Sequence, residues 1–158
     1  RQLAANASVA IGWSRRTCVI TLSGKANWRQ GTALQAAAAE AIAKDAKRTY
    51  LDLSKCEYLD STLLGLILQH TGRLLLHGAR LRIVSQFREM GIIDVLQFAS
   101  APPPTVEARA IAPAPADREQ HARLLRAAHE SLMEVSKKNR RKFGPAVALM
   151  REEEERKD

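Results

Sequence analysis

Apolar residues along the 158-residue chain change their spacing several times, and each change predicts an element. Ser8 to Trp13 and Thr17 to Ser23 are short and rich in β-branched and aromatic residues, with Ser14, Arg15 and Arg16 between them, which predicts a hairpin. Leu34, Ala37, Ala38, Ala41 and Ile42 recur at i, i+3, i+4, i+7 and i+8, predicting an amphipathic helix over 32–47 with one buried face. Thr49 to Leu53 is short and apolar, as expected of a central strand covered on one or both faces. Asp60, Ser61 and Thr62 suit a helix start, and the apolar pattern runs on to Leu76, with Gly78 placed to end the helix. A strand from Arg80 to Ser85 and a shorter helix from Phe87 to Leu96, broken at Gly91, complete this part. The order β, β, α, β, α, β, α predicts an α/β fold: a mixed sheet with crossover helices, right-handed where strands run parallel.

Proline then divides the chain. Pro102, Pro103, Pro104, Pro113 and Pro115 lie in an alanine-rich stretch, so residues 99–116 read as a linker between a domain at 1–98 and a tail at 117–158. In the tail, Leu125, Ala128, Leu132 and Val135 make a stripe at alternating steps of three and four, predicting a helix over 118–138 that must pack on something. Gly144 and Pro145 interrupt or restart it before Val147, Met150 and the acidic run Glu152 to Glu155. A helical hairpin, a kinked helix and an oligomerisation segment all fit.

Composition narrows the function classes. A chain of this length with 46% hydrophobic residues can bury one core. The formal charge of +8 belongs mainly to residues 1–98 and makes acidic partners plausible without selecting one. The longest strongly apolar run, Leu63 to Leu68, falls far short of the roughly 20 residues that cross a bilayer, so no membrane insertion is expected. The chain opens at Arg1 without an initiator Met or an apolar leader, which suggests a trimmed start or a fragment. Cys18 and Cys56 are too few for a disulfide framework, which points to a reducing cytoplasm. His70, His77, His121 and His129 form two distant pairs at spacings unlike a zinc site, so no metal is expected.

The informative segment is Tyr50 to Leu68, YLDLSKCEYLDSTLLGLIL, in which a strand leads through a loop to hydroxyl residues at a helix start. Unpaired N–H groups and the positive end of the helix dipole there stabilise a phosphate by about 0.3–1 kcal/mol per exposed charge. A phosphate on Ser61 would place about two negative charges beside Asp60 and could break a partner contact without unfolding the domain. Asp60 and Ser61 are equally suited to plain capping. Leu63, Leu64, Leu66, Ile67 and Leu68 spread around more than the roughly 100° stripe a surface helix buries, so some leucine is expected to remain exposed unless the sheet and the tail helix cover it.

These residues resemble the signature of STAS-domain anti-sigma-factor antagonists, in which a strand ends in an Asp-Ser-Ser or Asp-Ser-Thr triplet before a Gly-Leu-Gly helix start. Here the segment reads Asp60-Ser61-Thr62-Leu63-Leu64-Gly65. Leu22-Ser23-Gly24, Gly78 to Val84 and Met90-Gly91-Ile92 also match, and the resemblance spans about residues 8–98. It implies a STAS-like fold and a phosphorylation-switched partner that, unmodified, binds an anti-sigma factor that is also a serine kinase, so regulating transcription. By position, Ser61 would be the phosphoacceptor, Asp60 would shape its loop and Thr62 would sit beside it as a secondary hydroxyl. Leu63, Leu64 and Gly65 would help form the helix face that meets the kinase. ATP and magnesium would belong to the kinase, leaving this chain without a cofactor, and a serine phosphatase would reset the switch. Two positions depart from the pattern. Leu63 replaces a glycine, making the backbone near Ser61 less permissive, and Asn27 replaces a carboxylate near the acceptor.

Other functions are less well supported by the residues. Ser61 has no His or Lys at a recognisable motif distance, and Gly24-Lys25 lacks the rest of a phosphate-binding loop, so no enzyme is expected. Direct nucleic-acid binding would rest on Lys137, Lys138, Arg140, Arg141 and Lys142, a run that also suits a solvated helix face, and with 4% aromatic residues few bases could stack. A STAS-like domain could also serve as an accessory subunit of a lipid-transporting ABC system, which would use the helix surface without phosphorylation.

Overall fold

The computed structural model describes residues 6–113 and 117–157; part of the predicted linker, including Pro115, lies outside them. The hairpin forms as expected from β1 (Ser8–Ser14) and β2 (Thr17–Ala26), turning at Arg15, whose φ of 55° is in the left-handed region. A single 3-10 turn, Trp28–Gln30, leads into α1 (Gly31–Ala43), which crosses over to β3 (Arg48–Asp52), parallel to β2. A short turn follows, and β4 (Cys56–Leu59) runs along the remaining length of β2. Next come α2 (Ser61–Gln69), β5 (Leu74–His77), α3 (Leu81–Glu89) and β6 (Gln97–Phe98). The sheet order is β6, β5, β3, β2, β1 and finally β7 (Arg109–Ala110), with β3 central as its apolar sequence predicts.

Three expectations are corrected. The second helix stops at Gln69 instead of Leu76, because Gly72 takes a φ of 92° that ends it, and Leu74-Leu75-Leu76 pairs as a strand with β3. Three adjacent leucines fit a helix or a strand equally well, so periodicity could not separate them. Gly78 is consequently a strand-to-helix turn, at φ 75°, and the predicted strand Arg80 to Ser85 is the start of α3. That helix ends at Glu89, so the third helix lies earlier than Phe87 to Leu96.

The predicted linker is partly structured. Arg109 and Ala110 add an antiparallel strand to β1, and the Arg109 guanidinium pairs with Glu40 on α1. The Trp13 indole N–H also donates to Glu40, at 3.0 Å, so one carboxylate ties β1, α1 and the post-domain segment together.

The tail is a helical hairpin, α4 (Arg118–Val135) and α5 (Lys137–Lys157), with its break at Ser136. Gly144 and Pro145, expected to interrupt the helix, lie inside α5. Asn139, buried just after the break, donates from Nδ2 to the carbonyls of Leu132 (2.8 Å) and Met90 (2.9 Å), fixing α5 both to α4 and to the end of α3. Ala128, Leu132, Phe143 and Val147 from the tail join the same apolar core as the sheet and α2. Among the described residues no helix is long and apolar enough to cross a membrane.

Candidate functional site

Asp60 organises the start of α2. Its extended backbone makes it the N-cap; Oδ1 accepts from the Leu63 N–H at 3.0 Å and Oδ2 from the Trp28 N–H at 2.7 Å. One carboxylate therefore caps α2 and holds the loop after β2 against it. Asn27 works one step away: its side chain accepts from the Arg29 N–H at 2.9 Å and caps the 3-10 turn, so it supports Trp28 and not the Ser61 hydroxyl.

Ser61 is half-buried, and its hydroxyl is engaged by the tail. Oγ lies 2.7 Å from Nε2 of His129 on α4, whose Nδ1 lies 2.7 Å from the Leu125 carbonyl. A carbonyl only accepts, so in the neutral imidazole Nδ1 carries the hydrogen and Nε2 accepts the Ser61 proton. His129 is only 8% exposed and sits edge-on against Phe143, with ring centroids 5.0 Å apart.

The apolar face beside Ser61 is closed. Leu63 and Leu64 are 0% and 2% exposed, and Leu66 and Ile67 are equally covered, so for these four the alternative of cover by the rest of the fold is the one found. Only Leu68 is half-buried, and Thr62 is buried, which shields the hydroxyl expected to act as a second acceptor. On its Gly65 side α2 is covered by α4. Gly65 lies directly beneath it: a Cβ there would collide with the Ala128 carbonyl and come within 2.9 Å of the Ala128 Cα. The Leu124 side chain packs on Gly31, and Gln69 Nε2 donates to Ser131 Oγ at 3.2 Å. Trp28 meets His121 edge-on at 5.4 Å.

Sequence reasoning thus located Asp60, Ser61 and Gly65 but missed what they touch. His129, Ala128 and Leu124 are the partners of this site, and their signal was the small-residue pair Ala127-Ala128 before His129 on the tail stripe, which permits a close helix crossing. The two thiols are poor nucleophiles: burial, aided by Glu40, pushes Cys18 up to about 11, and burial raises Cys56 as well.

A family model described as Mlab, STAS domain matches residues 9–93, more than half of the chain. The chain belongs to the STAS-domain family. No curated protein matches it.

Proposed function

We propose that this STAS domain is a phosphorylation-gated antagonist of an anti-sigma factor that is also a serine kinase, and that its own α4 competes with that partner for the α2 face. The observation that carries the reading is the bond between Ser61 and His129. The hydroxyl at the motif's acceptor position touches the segment that covers the Gly65 side of α2, so the two events are coupled through one contact. A serine hydroxyl can donate to a neutral imidazole; a phosphate dianion can only accept. Phosphate at Ser61 would not fit within the 2.7 Å contact to His129 beneath α4 and would add charge beside Asp60, making the face unsuitable for an apolar helix from either source. In the unmodified chain the kinase displaces α4 and binds. A serine phosphatase restores that state, and no catalysis or cofactor is assigned to this chain.

The test is binding of an anti-sigma-class serine kinase to the wild type and to variants, with mass mapping after incubation with ATP. His129→Ala should bind more tightly, because the internal competitor is weakened, and Ser61→Asp more weakly. An unmodified Ser61, or equal affinities for all three proteins, contradicts the reading.

A second reading rests on the entry of Ala128, Leu132, Phe143 and Val147 of the tail into the apolar core of the domain. A tail so integrated with the core suits a permanent layer, and a STAS accessory subunit of a lipid-transporting ABC system needs no switch. Copurification with an ATPase while Ser61 stays unmodified selects it.

A further inference from the structure

Helix α5 carries its charge against its own dipole. Its first two turns hold Lys137, Lys138, Arg140, Arg141 and Lys142, with no acidic residue in the first turn, and its last two turns hold Glu152 to Glu155 between Arg151 and Arg156-Lys157, with Glu153 paired to Arg156 on the surface. A helix dipole favours the opposite arrangement by about 0.3–1 kcal/mol per charge. Among the described residues, none of the five cations forms an ion pair within the chain, and neither Glu152 nor Glu155 does.

The inward face of α5 is fully used. Asn139, Phe143 and Val147 are buried, and Glu154 pairs with Arg126 on α4. On the outward face Arg141, Lys142, Pro145, Leu149, Glu152 and Glu153 are exposed, Leu149 at 63%. The stripe therefore runs from basic through apolar to acidic.

We infer that α5 is a self-association surface that pairs antiparallel with α5 of a second copy of this chain, about a two-fold axis near Val147. The register follows from the sequence: Arg141 and Glu153 are each six residues from Val147, Lys142 and Glu152 are each five, and Pro145 and Leu149 are each two. Antiparallel pairing about that point sets Arg141 against Glu153, Lys142 against Glu152, and Leu149 against Pro145. Because the axis is two-fold, every contact occurs twice, as a closed isologous interface requires. Each basic, positive helix start then faces an acidic, negative helix end, which relieves the mismatch on both copies at once. Other polyanions would satisfy the cations but leave Leu149 and the glutamates unmatched. A single helix pair is a small interface, so the association is weak and sensitive to salt. The inference does not depend on Ser61.

Sedimentation of the full chain tests it, at about 200 µM and low ionic strength, where screening is weakest. The wild type should dimerise and should dissociate as salt is added. Arg141→Glu with Lys142→Glu in one variant, and Glu152→Lys with Glu153→Lys in another, should each be monomeric, with association weakened about tenfold or more. Mixed in equal amounts, the two variants should form a heterodimer, since each supplies the charge the other lacks. All four positions are exposed, so neither variant threatens the fold. A monomeric wild type, a dimer indifferent to either charge reversal, or a mixture that stays monomeric overturns the inference.

Discussion

Gly65 of α2 and Ala128 of α4 meet backbone to backbone, with no room between them for even a methyl group. This crossing lets the tail lie flat over the side of α2 that carries Ser61 and Gln69. Gly65→Ala should therefore push α4 outward and cost about 1–3 kcal/mol, read as a lower denaturation midpoint. An unchanged midpoint would mean the helices do not cross here.

Removing the tail tests its role in the core more severely. A chain ending at Ala116 loses Ala128, Leu132, Phe143 and Val147 from the apolar cluster and uncovers the Ser61, Gly65 and Gln69 side of α2. It should aggregate or bind hydrophobic dyes, whereas a soluble, compact fragment would show that the tail is dispensable.

The fold was legible in the sequence where a single period persisted. Helix α1 follows from its spacing, and the β1–β2 hairpin and the central β3 from short runs of β-branched or apolar residues bounded by polar ones. Leu74 to Leu76 was not legible, since three consecutive apolar residues carry no period and the deciding feature was the backbone of Gly72. At the site, the cap at Asp60 was legible from local chemistry. Its surroundings were not, because His129 lies 68 residues from Ser61 and only tertiary packing brings them together.

Glu40 should report on the clamp that holds the post-domain segment. The Trp13 hydrogen bond first, and then Arg109, lower its pKa below the ordinary glutamate value. A carboxylate lowered in the folded state contributes stability that is present above the unfolded value, about 4.3, and is lost as pH falls through the folded one. Glu40→Gln should lower stability near neutral pH and flatten part of the acid-side decline in urea midpoints. An unaltered pH profile would show that the carboxylate does not hold this clamp.

His70 has the opposite sense. Burial, reinforced by Arg73, lowers its pKa, so the folded protein resists a proton that the unfolded chain accepts. Stability should fall as pH drops below the unfolded histidine value, about 6.5, until the folded group also titrates. His70→Gln can still face Gln35, whose Oε1 lies 2.7 Å from the His70 ring, and should remove that dependence. Persistence of the same slope in the variant would place its origin elsewhere.

Ser61→Ala leaves the buried Nε2 of His129 without a donor and should cost about 1–3 kcal/mol while keeping α4 docked by its apolar contacts. The most direct measurement is amide hydrogen exchange across 118–135 in the full chain, comparing unmodified protein with protein phosphorylated at Ser61, in mildly alkaline buffer. Phosphorylation should strip protection from α4 while the sheet stays protected. Equal protection of α4 in both forms would contradict it.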